Sequence, residues 1–186
     1  VIHCLDDVID SASEAGLECV CYIIAGAPGQ SLLSSMDDLD YFASRKTLVG
    51  VSVYYPAPGS CDYGMISDSG RLPSSYSLMR SSAMPMSSPG ERPSIATVMR
   101  AGRILNFLKS LGSDDIKNMK RQNSVEIGSV LPGIHDRTGV GLSLFDSFMK
   151  DQKIRGVERN GLVYEHLTDR ELCDKLSKIC VKFAMQ

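Results

Sequence analysis

The chain has 186 residues, 43% of them hydrophobic, and 20 basic against 22 acidic side chains leave a formal net charge of −2. That length suits one full domain, or part of one with a smaller second domain. The near-neutral balance gives no electrostatic case for binding nucleic acid or a charged membrane, and no apolar run approaches the length of a bilayer span.

In chain order, IHCLDDVIDSASEA (2–15) places Ile2, Leu5, Val8, Ile9 and Ala12 at three- and four-residue steps, which predicts an amphipathic helix stopped by Gly16. LECVCYII (17–24) reads as a strand, apolar on both faces like a parallel strand covered on both sides. It runs into Gly-Ala-Pro-Gly-Gln-Ser (26–31), where the missing Cβ of glycine lets a phosphate, a nucleotide or an adenosyl group approach the backbone. SLLSSMDDLDYFAS (31–44) predicts a second helix and LVGVSVYY (48–55) a second strand. Helix, strand, helix, strand with short connections is the rhythm of a βα-repeat sheet or barrel.

The texture then changes. Pro56 to Pro93 holds ten serines, six of the eight prolines and no lysine. Its apolar residues, among them Ile66, Leu72 and Met84, make a functional loop draped over a site a better reading than a solvated linker. SSYSLMRSS (74–82) suggests a short helix within it. PSIATVMRAGRILNFLKSLG (93–112) predicts a helix capped by Ser94, stopped by Gly112 and striped by Val98, Ala101, Ile104, Leu105, Leu108 and Leu111. SDDIKNMKRQ (113–122) reads as a short helix, VLPGIHDRTGVG (130–141) as a loop and LSLFDSFMKD (142–151) as another helix. Asn160-Gly161 signals a type I′ hairpin, and Thr168 with Glu171 forms a capping box for a last helix through Leu172, Leu176, Ile179 and Phe183. No internal repeat is evident.

The six cysteines (4, 19, 21, 61, 173 and 180) include no C-x-x-C, and His3, His135 and His166 stand apart, so a metal site built wholly from this chain is not expected. With no signal peptide at its start, the chain reads as cytoplasmic and its cysteines as free thiols. His135-Asp136-Arg137 in a glycine-flanked loop offers an acid or an anion clamp, and Arg100 with Arg103 offers a carboxylate partner; an exposed loop and a solvated helix face are the plainer readings.

The glycine turn lacks the Lys-Ser/Thr of a P-loop and the G-x-G-x-x-G of a dinucleotide fold. Taken together, ASEAGLECVCYIIAGAPGQS, a helix and LVGVSVYYPAPGSCDYG resemble radical S-adenosylmethionine (radical SAM) enzymes. The likeness is to oxygen-independent coproporphyrinogen oxidase-like and cobalamin-associated members. Their pattern runs Gly-Leu-Pro-Gly-Gln-Thr, a helix, and a strand ending in Pro-x-Pro-Gly-(Ser/Thr). Ala27 and Ser31 depart mildly from it, and the likeness covers residues 1 to about 64.

The resemblance implies an α/β fold, the C-terminal portion of a partial (β/α)6 TIM-like barrel followed by a mostly helical subdomain with a β-hairpin. Residues 1–65 would be the last two strand–helix units, 66–93 a Ser/Pro-rich loop, and 94–186 the helical subdomain with its hairpin near 153–167. It implies S-adenosylmethionine and a [4Fe-4S] cluster whose C-x-x-x-C-x-x-C ligands are not on this chain. The expected partners are therefore the upstream part of the same protein and a small-molecule or peptide substrate.

Side-chain alternation puts Tyr22, Ile24 and Gly26 on one face, and the resemblance implies that this face lines the adenosine, with Ile24 on the adenine and Gly26 leaving room for it. Pro28 in the turn, and Tyr55 and Pro56 at the end of the next strand, complete the expected rim. The chain would then be part of a radical SAM enzyme, inactive by itself. The other reading is a non-enzymatic α/β protein-interaction module.

Overall fold

In a computed structural model, the structure describes residues 2–73, 75, 90–112 and 125–184. The short helices expected at 74–82 and 113–122 lie essentially outside these residues. The chain divides into two compact units, Val1–Gly102 and Arg103–Gln186.

The first unit begins with α1 (Ile2–Glu14), β1 (Val20–Ala25), α2 (Leu32–Ala43) and β2 (Leu48–Val53). β1 and β2 pair in parallel, Val20 opposite Leu48 through Ala25 opposite Val53. One face of the pair is packed: Ile23, Ala25, Val49 and Val53 are buried with Met36 and Leu39 of α2. The long helix α4 (Arg92–Ser110) lies on the same face. A Cβ placed on its Gly102 would sit 2.6 Å from a Val51 methyl and 3.8 Å from Leu39, so the absent side chain sets how closely α4 approaches the strand. Asp6 of α1 accepts hydrogen bonds from the Tyr41 hydroxyl (2.6 Å) and from Arg45, just past α2, whose guanidinium also lies 3.3 Å from the Tyr41 ring centre. That cluster fastens α1 to α2.

Among the described residues, nothing packs on the opposite face. The expectation of a strand covered on both sides is therefore corrected: Val20, Tyr22 and Ile24 of β1 are 49%, 74% and 52% exposed, and Leu48 of β2 is 40% exposed.

Both strands end in the same device. Gln30 N–H donates to Ala27 C=O and Ser60 N–H to Ala57 C=O, each at 3.0 Å. Pro28 and Pro58 take the second position of the turn, while Gly29 and Gly59 take the third at φ +75° and +86°, the type II arrangement. Ser31 then caps α2 by accepting from Leu33 N–H, and Ser60 caps α3 (Cys61–Asp68) by accepting from Tyr63 N–H. Strand, Ala-Pro-Gly turn, serine cap and helix thus recur, a repeat missed in the linear sequence because the strands and helices around it share little. Helix α3 itself occupies the start of the serine- and proline-rich stretch expected to be loop.

The second unit holds the end of α4, α5 (Arg137–Asp151), the strands β3 (Arg155–Val157) and β4 (Val163–Glu165), and α6 (Arg170–Ala184). Its core gathers Leu105, Leu108, Leu142, Phe145, Phe148, Val163, Leu172, Leu176 and Ile179. The Phe107 ring crosses Gly141 of α5 where a Cβ would be 2.5 Å away.

Three local expectations change here. Helix α5 starts five residues early because Asp136 caps it, accepting from Gly139 N–H at 2.9 Å. The hairpin is not type I′: Gly161 alone has positive φ (+88°), Gly161 N–H donates to Glu158 C=O and Glu158 N–H to Leu162 C=O. This is a type I turn followed by a glycine bulge, the three-residue hairpin loop. Helix α6 is capped by Asp169, which accepts from Glu171 and Leu172 N–H, rather than by Thr168. The strands form two separate two-stranded sheets, with no closed barrel among the described residues. No helix among these residues is long and apolar enough to cross a membrane.

Candidate functional site

The expected rim divides into two places. Tyr22 and Ile24 stand together on the bare face of β1. The Tyr22 ring lies across Gly50, its in-register partner on β2, so closely that a Cβ at Gly50 would be 2.5 Å from the ring carbons. With no side chain at 50, the ring lies down on the sheet, and the face becomes a shallow apolar platform made by an aromatic ring and the Ile24 side chain.

Gly26 does not continue that face, which corrects the alternation argument. β1 ends at Ala25, and Gly26 follows at φ +81°, a conformation that takes it out of the period-two pattern. The direction its Cβ would take leads to Ile95 of α4, whose Cδ1 is 3.1 Å away. The space beside the glycine is therefore filled by a helix of the same unit. Gly26 and Pro28 instead line a shallow pocket of about 200 Å³ with Ala27, Gly29, Gln30, Leu32, Glu91 and Ile95. Ligand pockets usually enclose roughly 300–1,000 Å³, so this hollow by itself is smaller than a nucleoside site.

Tyr55 is exposed at the end of β2, whereas Pro56 is fully buried and lines no open surface. The neighbouring Tyr54 hydroxyl donates to Asp62 of α3, and that carboxylate raises the phenol above its ordinary value.

Sequence reasoning missed Gln30, Glu91 and Ile95. The Gln30 side chain spans the glycine turn: its Oε1 accepts from Ala27 N–H at 3.1 Å and its Nε2 donates to Ile24 C=O at 2.9 Å. One amide thus satisfies a donor and an acceptor that the turn would otherwise leave to water, and it holds the last strand residues against the loop. Ile95 was legible as one more step of the stripe through Val98. Glu91 gave no signal.

The remaining candidates stand apart from this place. Asp136 is spent as the α5 cap, and His135 and Arg137 are exposed. Arg100 donates to Ala96 C=O within its own helix at 3.3 Å, and Arg103 is exposed. The six cysteines are free thiols, and among the described residues no three His, Cys, Asp or Glu side chains gather in a way that could hold a metal ion.

No protein family, curated protein or solved structure matches the chain.

Proposed function

We propose that this chain is the C-terminal portion of a cytoplasmic radical SAM enzyme, supplying part of the SAM-binding wall and a second unit that faces or caps a small-molecule or peptide substrate. One observation carries the reading: a parallel strand pair with helices on one face and an uncovered apolar face on the other. Parallel sheets are found almost only with both faces covered. In a barrel, the face opposite the helices is the interior, where cofactor and substrate lie. Here that face presents Tyr22 and Ile24 just below the glycine turn.

The fit to the cofactors is unequal. An aromatic ring lying flat beside a branched aliphatic side chain suits the planar, partly apolar adenine of SAM. The cysteines offer no clustered thiolates for a [4Fe-4S] centre, which requires several converging on one site, so its ligands belong to the upstream part of the protein. Bound there, the cluster would supply the electron for reductive cleavage of SAM. This chain's residues bind and orient: Ile24 and Tyr22 hold the base, and Gln30 keeps the turn above it shut.

The test is SAM affinity of the cluster-loaded, longer protein carrying Ile24→Ala. Loss of the aliphatic contact removes roughly 1.5 kcal/mol, about tenfold in affinity, with iron content unchanged and with Cys21→Ala, on the helix-covered face, binding as before. Unchanged affinity in Ile24→Ala removes the SAM reading. The bare face then favours the interaction module.

A further inference from the structure

We infer that the backbone of the glycine turn is a recognition site for a planar group carrying a hydrogen-bond donor and an acceptor on one carbon, and that the Gln30 side chain occupies it from within. The two backbone atoms are Ile24 C=O, which accepts from Gln30 Nε2 at 2.9 Å, and Ala27 N–H, which donates to Gln30 Oε1 at 3.1 Å. A single carboxamide meets both, so their spacing is that of the nitrogen and oxygen of one amide. Two ligand chemistries match it: a second carboxamide, and the N6–C6–N1 side of a 6-aminopurine.

The turn itself does not require this glutamine. After β2, Ala57-Pro58-Gly59 runs straight into its serine cap, Ser60, whereas Ala27-Pro28-Gly29 reaches Ser31 through one extra residue, and that residue is Gln30. The backbone pair is built before any ligand arrives. Gln30 N–H is tied to Ala27 C=O at 3.0 Å, and Gly26 and Gly29, at φ +81° and +75°, fix the bends on either side of Ala27. The carboxyl end of a parallel strand is also where open α/β sheets take their ligands.

An incoming group can reach the pair and displace its occupant. The hydrogen bond to Ile24 lies at the exposed surface, the one from Ala27 is half-buried, and the Ile24 side chain beside them is 52% exposed. Ala27 and Gln30 also line the hollow of about 200 Å³ walled by Leu32 and Ile95, which gives the displaced glutamine somewhere to go. Its hold is weak. Hydrogen bonds between neutral groups near water are each worth little net, and glutamine gives up much side-chain freedom to make two. The closed arrangement is therefore favoured by about tenfold, and a ligand binds that much more weakly than it would to an unoccupied pair.

The experiment is an NMR titration of the 186-residue chain and its Gln30→Ala variant, following the Ala27 amide, with propionamide and with 9-ethyladenine. N,N-dimethylpropionamide and N6,N6-dimethyl-9-ethyladenine, which cannot donate, are the controls. At least one probe should shift the Ala27 amide in both proteins, binding Gln30→Ala about tenfold more tightly, while the controls leave it in place. Binding of propionamide assigns a carboxamide, such as an Asn or Gln side chain of a peptide. Binding of 9-ethyladenine assigns a base, and that arm alone rests on the SAM reading. In the unaltered chain, saturation should also move the Gln30 Nε2 proton signals to those of a free side-chain amide, a readout that stands even if Gln30→Ala does not fold. No shift of Ala27 by either probe, equal affinity in the two proteins, binding of the controls, or Gln30 signals unmoved by a bound probe overturns the inference. SAM itself is in no arm, so failure here is separable from failure of SAM to bind.

Discussion

Substituting Gly26 with alanine, beside the same change at Gly29, tests what the first glycine of the turn makes room for. Both residues have positive φ, +81° and +75°, so an added Cβ carries a conformational cost of about 1–2 kcal/mol at either site. The unfolded-state entropy gained on replacing glycine is also common to both and cancels in the comparison. The surroundings differ. At Gly29 nothing lies within 4 Å of the new methyl, whereas at Gly26 it would be 3.1 Å from Ile95 Cδ1. Ile95 is buried, so its Cδ1 must give by a few tenths of an ångström against its packing, at a cost bounded by that of a strained rotamer, roughly 0.5–1.5 kcal/mol. Urea unfolding of the 186-residue chain should therefore show Gly26→Ala to be the costlier change by about 1 kcal/mol. Ile95→Val removes Cδ1, and in that background most of the excess should disappear, a coupling read from the double-mutant cycle. Equal costs at the two glycines, with no relief from Ile95→Val, would refute the assignment of this space to α4 and return it to a ligand.

Three further outcomes follow from local geometry. Cys180 is buried and its thiol is pushed up to about 12 by desolvation, so iodoacetamide at pH 8 should label the exposed Cys4 and Cys61 and spare Cys180 until the chain is unfolded, as peptide mass spectrometry would show. Asp136→Ala removes the α5 cap and should cost about 1 kcal/mol in urea unfolding, with Asp136→Asn keeping most of it. The hydrogen bond from Arg155 holds the Asp151 carboxyl below its ordinary value. A depressed carboxylate stabilises the fold above its unfolded pKa of about 3.9 and loses that contribution as pH falls through the folded value. Asp151→Asn should therefore flatten part of the decline in urea midpoint between about pH 5 and pH 2, and an unchanged decline would show the pair to be inert.

Periodicity made α1, α2, α4, the last helix and both parallel strands legible, because each buries one regular stripe or row. Helix α3 was not, since only Ile66 is buried in it and its start depends on a turn followed by Ser60 rather than on a stripe. The first turn of α5 hid behind Gly139 and Gly141, which look like loop residues until the Phe107 ring is seen crossing Gly141. Asn160-Gly161 was correctly a hairpin signal, but the three-residue loop put only the glycine at positive φ. At the candidate site, Tyr22 and Ile24 fell on one face as alternation requires. Gly26 escaped because alternation was carried past the strand into the Gly-Ala-Pro-Gly turn, where the period of two no longer holds. Pro56 was misread for a similar reason: a strand end is a rim only where the chain stays at the surface, and burial is decided by elements distant in sequence.

Tyr22 and Gly50 cannot vary independently. The ring occupies the volume that any side chain at 50 would claim, so even alanine there must lift it off the sheet or expel it. Two outlines are open to this patch of the exposed face: a broad residue on β1 over a bare backbone on β2, or a small residue on β1 beside a real side chain on β2. Exchanging one for the other moves the bulge about one strand spacing, roughly 4.8 Å, across the face while leaving total bulk nearly unchanged. A paired swap at these two positions thus reshapes the exposed face, and a lone change at 50 should first appear as a tilted ring before any loss of stability.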